Sequence, residues 1–145
     1  MTLSYEDERT LHTLAGRAAV QDLTIRQHRA MEAGDEATWL GTFVVEGVLE
    51  LPGEKPIAGH PALARWFAAV SRPPSVLLAD SVVRIDGVHG TQESRTVVAT
   101  AGGGAGGVMV GQIVPVVDDL VYERGRWYFG RRRVGSERPL DQTVG

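Results

Sequence analysis

Two side chains in the stretch HRAMEAGDEATW, His28 and Glu32, have types and spacing that suit acid–base chemistry. Four residues is about one helical turn, so on a helix both project from the same face. A carboxylate against an imidazole fixes its tautomer and raises its pKa, leaving a base poised near neutral pH. The same spacing also fits an exposed charge pair worth only tenths of a kcal/mol, and Arg26 and Arg29 compete for Glu32. Gln27 shares the stripe of Leu23, Ala30 and Met31. An amide there needs a buried partner or a wet cavity, or it reaches solvent at the stripe's edge. Asp118 in VVDDL shares by alternation the face of Val116 and Leu120 unless Pro115 shifts the register, and reads as a buried acid or a half-solvated one. Glu50 alternates with Leu49 and Leu51, and either face could be a pocket. Of Arg131, Arg132 and Arg133 at most two share a strand face; an inward arginine, with Arg131 the candidate, would hold a carboxylate or enolate.

These residues need elements to position them. Apolar residues recur at three- and four-residue spacing from Tyr5 to Ala33 without a proline, which predicts a long helix closed by Gly34. Asp35 is placed to cap a second, short helix through Trp39 and Phe43. GVLEL is a strand candidate followed by the turn PGEKP. HPALARWFAAV puts Leu63, Trp66, Phe67 and Val70 on one face of a third helix, stopped by Pro73 and Pro74. Then the period changes: SVLLADSVVRID, TQESRTVVATA, VMVGQIVPVVDDLVY and RWYFGRRRV are β-rich runs separated by DGVHG, GGGAGG and ERG. Four such strands predict an antiparallel meander with the helices on one face, an α+β order. Pro115 predicts a bulge or a sheet edge.

The 145 residues fit one domain, with an ordered core over about residues 5–134 and a loose tail over 135–145. A net charge of −3 does not suit a phosphate-backbone binder, so no nucleic-acid partner is expected. Without cysteine there is no thiolate nucleophile or zinc-thiolate site. His12, His28, His60 and His89 show no metal-ligand spacing, so no metal is expected. GGGAGG contains a G-x-G-x-x-G pattern but runs into a strand, where a dinucleotide fingerprint requires a helix N-terminus; it reads as a hairpin loop, and no cofactor is expected. The start MTLSYEDERTL is acidic and lacks an apolar segment, so a cytoplasmic location is expected. No apolar run approaches the roughly 20 residues that span a bilayer, and no membrane association is expected.

LAGRAAVQDL, the HRAMEAGD helix end, IAGHPALARWF and VVDDLVYERGRWYFGRRRV, spread over residues 8 to 134, resemble in order and spacing the SnoaL-like members of the nuclear transport factor 2-like superfamily. The first segment is particularly similar to the scytalone dehydratase and hexachlorocyclohexane dehydrochlorinase branch. The resemblance implies an α+β cone, three N-terminal helices on a curved, mostly antiparallel sheet that encloses an apolar pocket. It also implies a carboxylate base at the position of Glu32 and a polar pocket residue at Gln27. The strand histidine that completes the dehydratase dyad would fall at Val76 to Leu78, where this chain has only aliphatic residues. The Asp-Arg-Asp set of the superfamily's epoxide hydrolases is met in part by Arg95 and Asp118, with Val97 where a second carboxylate is needed. The family mixes dehydratases, isomerases, cyclases, epoxide hydrolases and non-enzymatic binders, so the fold alone assigns no chemistry.

The expectation is therefore a cofactor-independent lyase, isomerase or cyclase acting by proton abstraction on a small apolar, cyclic or polyketide-like carbonyl compound. Glu32 is the expected base, His28 its partner or the acid, and Gln27 and Asp118 the orienting groups. Met31, Leu78, Trp66, Phe67 and Arg131 are expected in the pocket. The rival reading is a binding member without catalysis, favoured by the aliphatic SVLLA strand; a third is a pocket that templates a cyclisation by shape. Family analogy adds a homodimer through the outer sheet face.

Overall fold

The computed structural model describes residues 2–73, 75–101 and 109–135. Helix α1 runs from Tyr5 to Ala33. The Ser4 hydroxyl accepts the Asp7 N–H at 3.1 Å, and Glu6, Asp7 and Glu8 complement the positive end of the helix dipole. Gly34 ends it at φ 69°, a left-handed conformation that costs glycine nothing. Asp35 then caps α2 (Glu36–Gly41), accepting the Thr38 N–H at 3.2 Å.

Phe43, expected at the end of α2, instead opens strand β1 (Phe43–Glu50). The Thr42 hydroxyl donates to the Trp39 carbonyl at 2.6 Å and closes the helix, which frees Phe43 to pair with Phe129. A two-residue strand β2 (Ile57–Ala58) precedes α3 (His60–Ala69). Strands β3 (Ser75–Asp86), β4 (His89–Ala101), β5 (Met109–Glu123) and β6 (Arg126–Val134) follow. GGGAGG and the tail beyond Gly135 lie outside the described residues.

The six strands form one sheet in the order β2-β1-β6-β5-β4-β3. The meander β3 to β6 is antiparallel as expected, but β1 joins β6 in parallel. Register breaks lie between Leu78 and Asp80, between Asp119 and Leu120, and between Phe43 and Val48. Such breaks sharpen the local twist and help curl the sheet. In the last of them Gly47 is required: a Cβ there would sit 2.9 Å from Phe43 Cβ and from the Val44 carbonyl oxygen. Pro115 makes no bulge against β4, where it pairs in register with Arg95. It lies instead at an edge. Its carbonyl accepts the Gly135 N–H at 2.7 Å where β6 ends, so its missing N–H faces the side on which pairing stops.

The core gathers Val20, Leu23 and Ala30 of α1 with Trp39, Leu63, Phe67, Leu120 and Phe129. Trp39 is its hub, with ring centroids 4.9 Å from Phe67, 5.2 Å from Phe43 and 5.5 Å from Trp66. Leu11 and Leu14, on the expected apolar stripe, remain 52% and 55% exposed because burial along α1 begins only at Gly16. Among the described residues no helix is long and apolar enough to cross a membrane.

Candidate functional site

Between α1, α3 and the inner face of the sheet lies a cavity of about 220 Å³. Its walls include Met31, Trp39, Leu49, Trp66, Val76, Val98, Val114 and Val134. Among the described residues its polar lining groups are Gln27, His28, Thr96 and Arg132, with Ser71 near the α3–β3 connection.

Gln27 and Arg132 belong to a buried network. Arg132, 3% exposed, donates from Nε to Asp118 Oδ1 at 2.7 Å and from Nη2 to Oδ2 at 3.2 Å. Its Nη1 donates to Gln27 Oε1, and its guanidinium lies 4.2 Å from the centroid of the Phe129 ring. Gln27 Nε2 donates to the Thr42 hydroxyl at 2.6 Å. Asp118 is 0% exposed and also accepts from Gln92 Nε2 at 3.0 Å, while Gln92 donates to Thr24 at 2.9 Å. Both oxygens of the carboxylate are thus satisfied, as a buried charge requires.

His28 differs. It is 7% exposed, lines the cavity, and its Nδ1 has no hydrogen-bond partner. Desolvation, and secondarily the Arg132 charge, holds its pKa down at about 3, so the imidazole is neutral at physiological pH. The hydroxyls of Thr96, on the cavity wall, and Ser94, beside it on β4, are likewise buried without partners.

The structure thus brings Gln27, His28, Met31 and Trp66 to one cavity, with Asp118 directly behind Arg132. It places the other expected site residues elsewhere. Glu32 pairs with neither His28 nor the neighbouring arginines among the described residues; its Oε1 accepts the Val76 N–H at 2.5 Å. The carboxylate thereby pins the start of the edge strand β3 to α1, and it faces a second groove that Leu78 also lines and that shares His28 and Val76 with the cavity. Replacing Glu32 by alanine is expected to cost about 1.5–3 kcal/mol, the range for a hydrogen bond to a charged group. Ligand affinity of the main cavity should stay within twofold of wild type; a large loss by calorimetry would put Glu32 back in the site.

Phe67 packs in the core, against Trp39. Arg131 lies on the outer face, 3.0 Å from Glu50, which also pairs with Arg133. Arg132 is the inward arginine, and the reason is a bulge. Asp119 and Leu120 are consecutive, yet they face Arg131 and Phe129, so Gly130 is an extra residue that reverses the alternation begun by Trp127 and Phe129. A glycine inside a strand is the sequence signal that marks such a place. Arg95 also faces outward, donating from Nε to Asp80 at 2.8 Å, so it cannot meet the inward Asp118 in an epoxide-hydrolase arrangement.

This helix-lined cone with its largely apolar cavity has relatives of known structure. Residues 12–133 match the model of the SnoaL-like domain, and the chain belongs to that family. A Mycobacterium tuberculosis protein of unknown function shares 26% identity and a TM-score of 0.76, over 100% of this chain and 83% of that one. A nuclear transport factor 2-like protein with a cystatin-like fold from Novosphingobium aromaticivorans has 17% identity and a TM-score of 0.78, over 92% and 90% of the two chains. A protein from Streptomyces avermitilis, described as a candidate dehydratase of the nuclear transport factor 2-like family, has 16% identity and a TM-score of 0.70, over 83% and 95%. No curated protein matches the sequence.

Proposed function

We propose that this protein is a cofactor-independent isomerase or lyase that binds a small apolar cyclic carbonyl compound in the cavity and moves a proton at the carbon next to the carbonyl. One observation carries this reading: His28, whose buried Nδ1 has no hydrogen-bond partner, lines the cavity together with the cationic Arg132. A guanidinium N–H facing the cavity polarises the carbonyl oxygen by hydrogen bonding, and the imidazolium formed on His28 in the same step, rather than the already paired guanidinium, balances the charge that develops on the enolate. His28, in the tautomer protonated at Nε2, takes the proton at Nδ1. The C–H pair becomes the new C=C bond and the carbonyl π pair moves to oxygen. In a β,γ-unsaturated ketone the carbonyl re-forms and the proton returns to the γ-carbon, which isomerises the substrate; with a β-substituent the carbonyl re-forms, a Cα=Cβ bond is made, and the substituent leaves with its bonding pair and takes the proton from His28. Kinship to a family that includes a candidate dehydratase supports a reaction of this kind.

The test is deuterium exchange next to the carbonyl of α-tetralone in D2O, followed by NMR. The wild type should exchange above the buffer rate, and His28→Leu should lose on the order of a hundredfold, the lower range for a general base. No enzymatic exchange, or exchange that survives in His28→Leu, defeats the assignment.

A second reading is binding without catalysis. A base whose pKa sits near 3 is weak in the ground state, and Glu32 does not supplement it. Saturable binding of the ketone without exchange selects this alternative. In either case we propose that a second copy covers the outer sheet face, where Leu77, Val97 and Ile113 are cross-strand neighbours and Leu77 and Ile113 are exposed. Sedimentation should give a dimer that an Ile113→Glu substitution dissociates.

A further inference from the structure

The cation on the cavity wall is already neutralised. Asp118 sits behind Arg132, away from the cavity, and holds it through two hydrogen bonds in the absence of any exposed surface. His28 contributes no charge at neutral pH, and Glu32 is turned to the other groove. Among the described residues the rest of the wall is apolar apart from the Thr96 and Ser71 hydroxyls and the Gln27 amide. Among the described residues the cavity wall therefore carries no net charge, although it contains a guanidinium.

We propose that Asp118 sets the charge class of the ligand: by neutralising Arg132 it makes the cavity selective for an uncharged molecule of one or two rings with a hydrogen-bond-accepting oxygen, and excludes carboxylates of the same shape. This rests on the reading that the cavity is the ligand site. A guanidinium has five N–H donors, of which Arg132 uses three on Asp118 and Gln27. What remains can donate to a carbonyl without disturbing the pair. A carboxylate in the same place would make two anions share one cation in a desolvated site, leaving a buried charge uncompensated. Size follows from the volume: an apolar cavity of about 150 Å³ holds a benzene, so about 220 Å³ suits a single ring with substituents or a compact fused pair. Asp118 acts through Arg132, so its role is one of positioning and charge rather than contact.

The decisive experiment compares wild type and Asp118→Asn, each titrated calorimetrically with α-tetralone and with tetralin carboxylate, its anionic counterpart. Wild type is expected to prefer the ketone by at least about tenfold in Kd, and the variant to prefer the carboxylate by a similar factor, because its Arg132 charge has lost its partner. If Asp118 is merely structural, the variant weakens for both ligands alike and the proposal fails. Equal binding of both ligands by the wild type, or binding of neither, also overturns it. Should the ligand-free variant prove unfolded, refolding with each compound gives the answer: recovery with the carboxylate alone supports the proposal, and recovery with the ketone alone or with neither refutes it. Ketone preference without deuterium exchange would sink the catalytic reading and leave the charge rule standing. Exchange without ketone preference would do the reverse.

Discussion

Replacing Arg132 by methionine is expected to destabilise the protein by about 3–5 kcal/mol, the cost of leaving one partner of a buried ion pair uncompensated. The substitution keeps most of the side-chain volume but strands the carboxylate of Asp118, which has no exposed surface and would retain only Gln92 as a donor. It also removes the donor to Gln27 Oε1 and the cation over the Phe129 ring. A domain of this size has about 5–15 kcal/mol of stability in all, so urea unfolding should show a much reduced midpoint. The companion variant separates charge from packing. Arg132→Met combined with Asp118→Leu deletes both charges, and replacing a buried pair by apolar residues of similar volume is often neutral or stabilising. The double variant should therefore recover most of the loss while abolishing any preference for a carbonyl ligand. A single variant that costs less than about 1 kcal/mol would mean that water reaches Asp118 and that the network is not closed.

The difference between Arg131 and Arg132 shows where the sequence stops being legible. Periodicity recovers elements whose burial is regular: α1 is bounded by Ser4 and Gly34 because caps and stripe agree, and β6 matches RWYFGRRRV end to end. Asp118 follows as an inward acid because β5 keeps its alternation from Val116 to Leu120. One extra residue at Gly130 is enough to turn Arg131 out and Arg132 in. Glu32 is illegible for a different reason. Periodicity places it on α1, but which neighbour takes a helix-end carboxylate depends on how α1 lies against the edge of the sheet, and the Val76 N–H is 44 residues away. Gln27 needed a polar partner, and the stripe of α1 announced that need. The partners themselves, Thr42 and Arg132, come from the end of α2 and from the last strand.

Stability is expected to fall on mild acidification, and His28 is the cause. In the unfolded chain a histidine titrates near 6.5, whereas the folded protein holds His28 at about 3, by burial first and by the Arg132 charge second. The fold thus favours the neutral imidazole. Its contribution is complete above pH 6.5 and is lost as pH falls, because the unfolded chain takes up a proton that the folded one refuses, until the loss levels off near pH 3. At pH 5 the gap is about 1.5 units at 1.36 kcal/mol each, or about 2 kcal/mol, rising to about 5 kcal/mol at full extent. Asp80 and Asp35, held below the usual carboxylate range by hydrogen bonds from Arg95 and Thr38, act only at lower pH. Over the interval from pH 6.5 to 4.5 the difference between wild type and His28→Leu isolates His28. Urea unfolding across that interval should give a steep decline in wild type and a much flatter line in His28→Leu, which cannot be protonated there. Parallel slopes would mean that His28 reaches water in the folded state, and a hydrated imidazole would not be the desolvated base on which the proposed proton transfer depends.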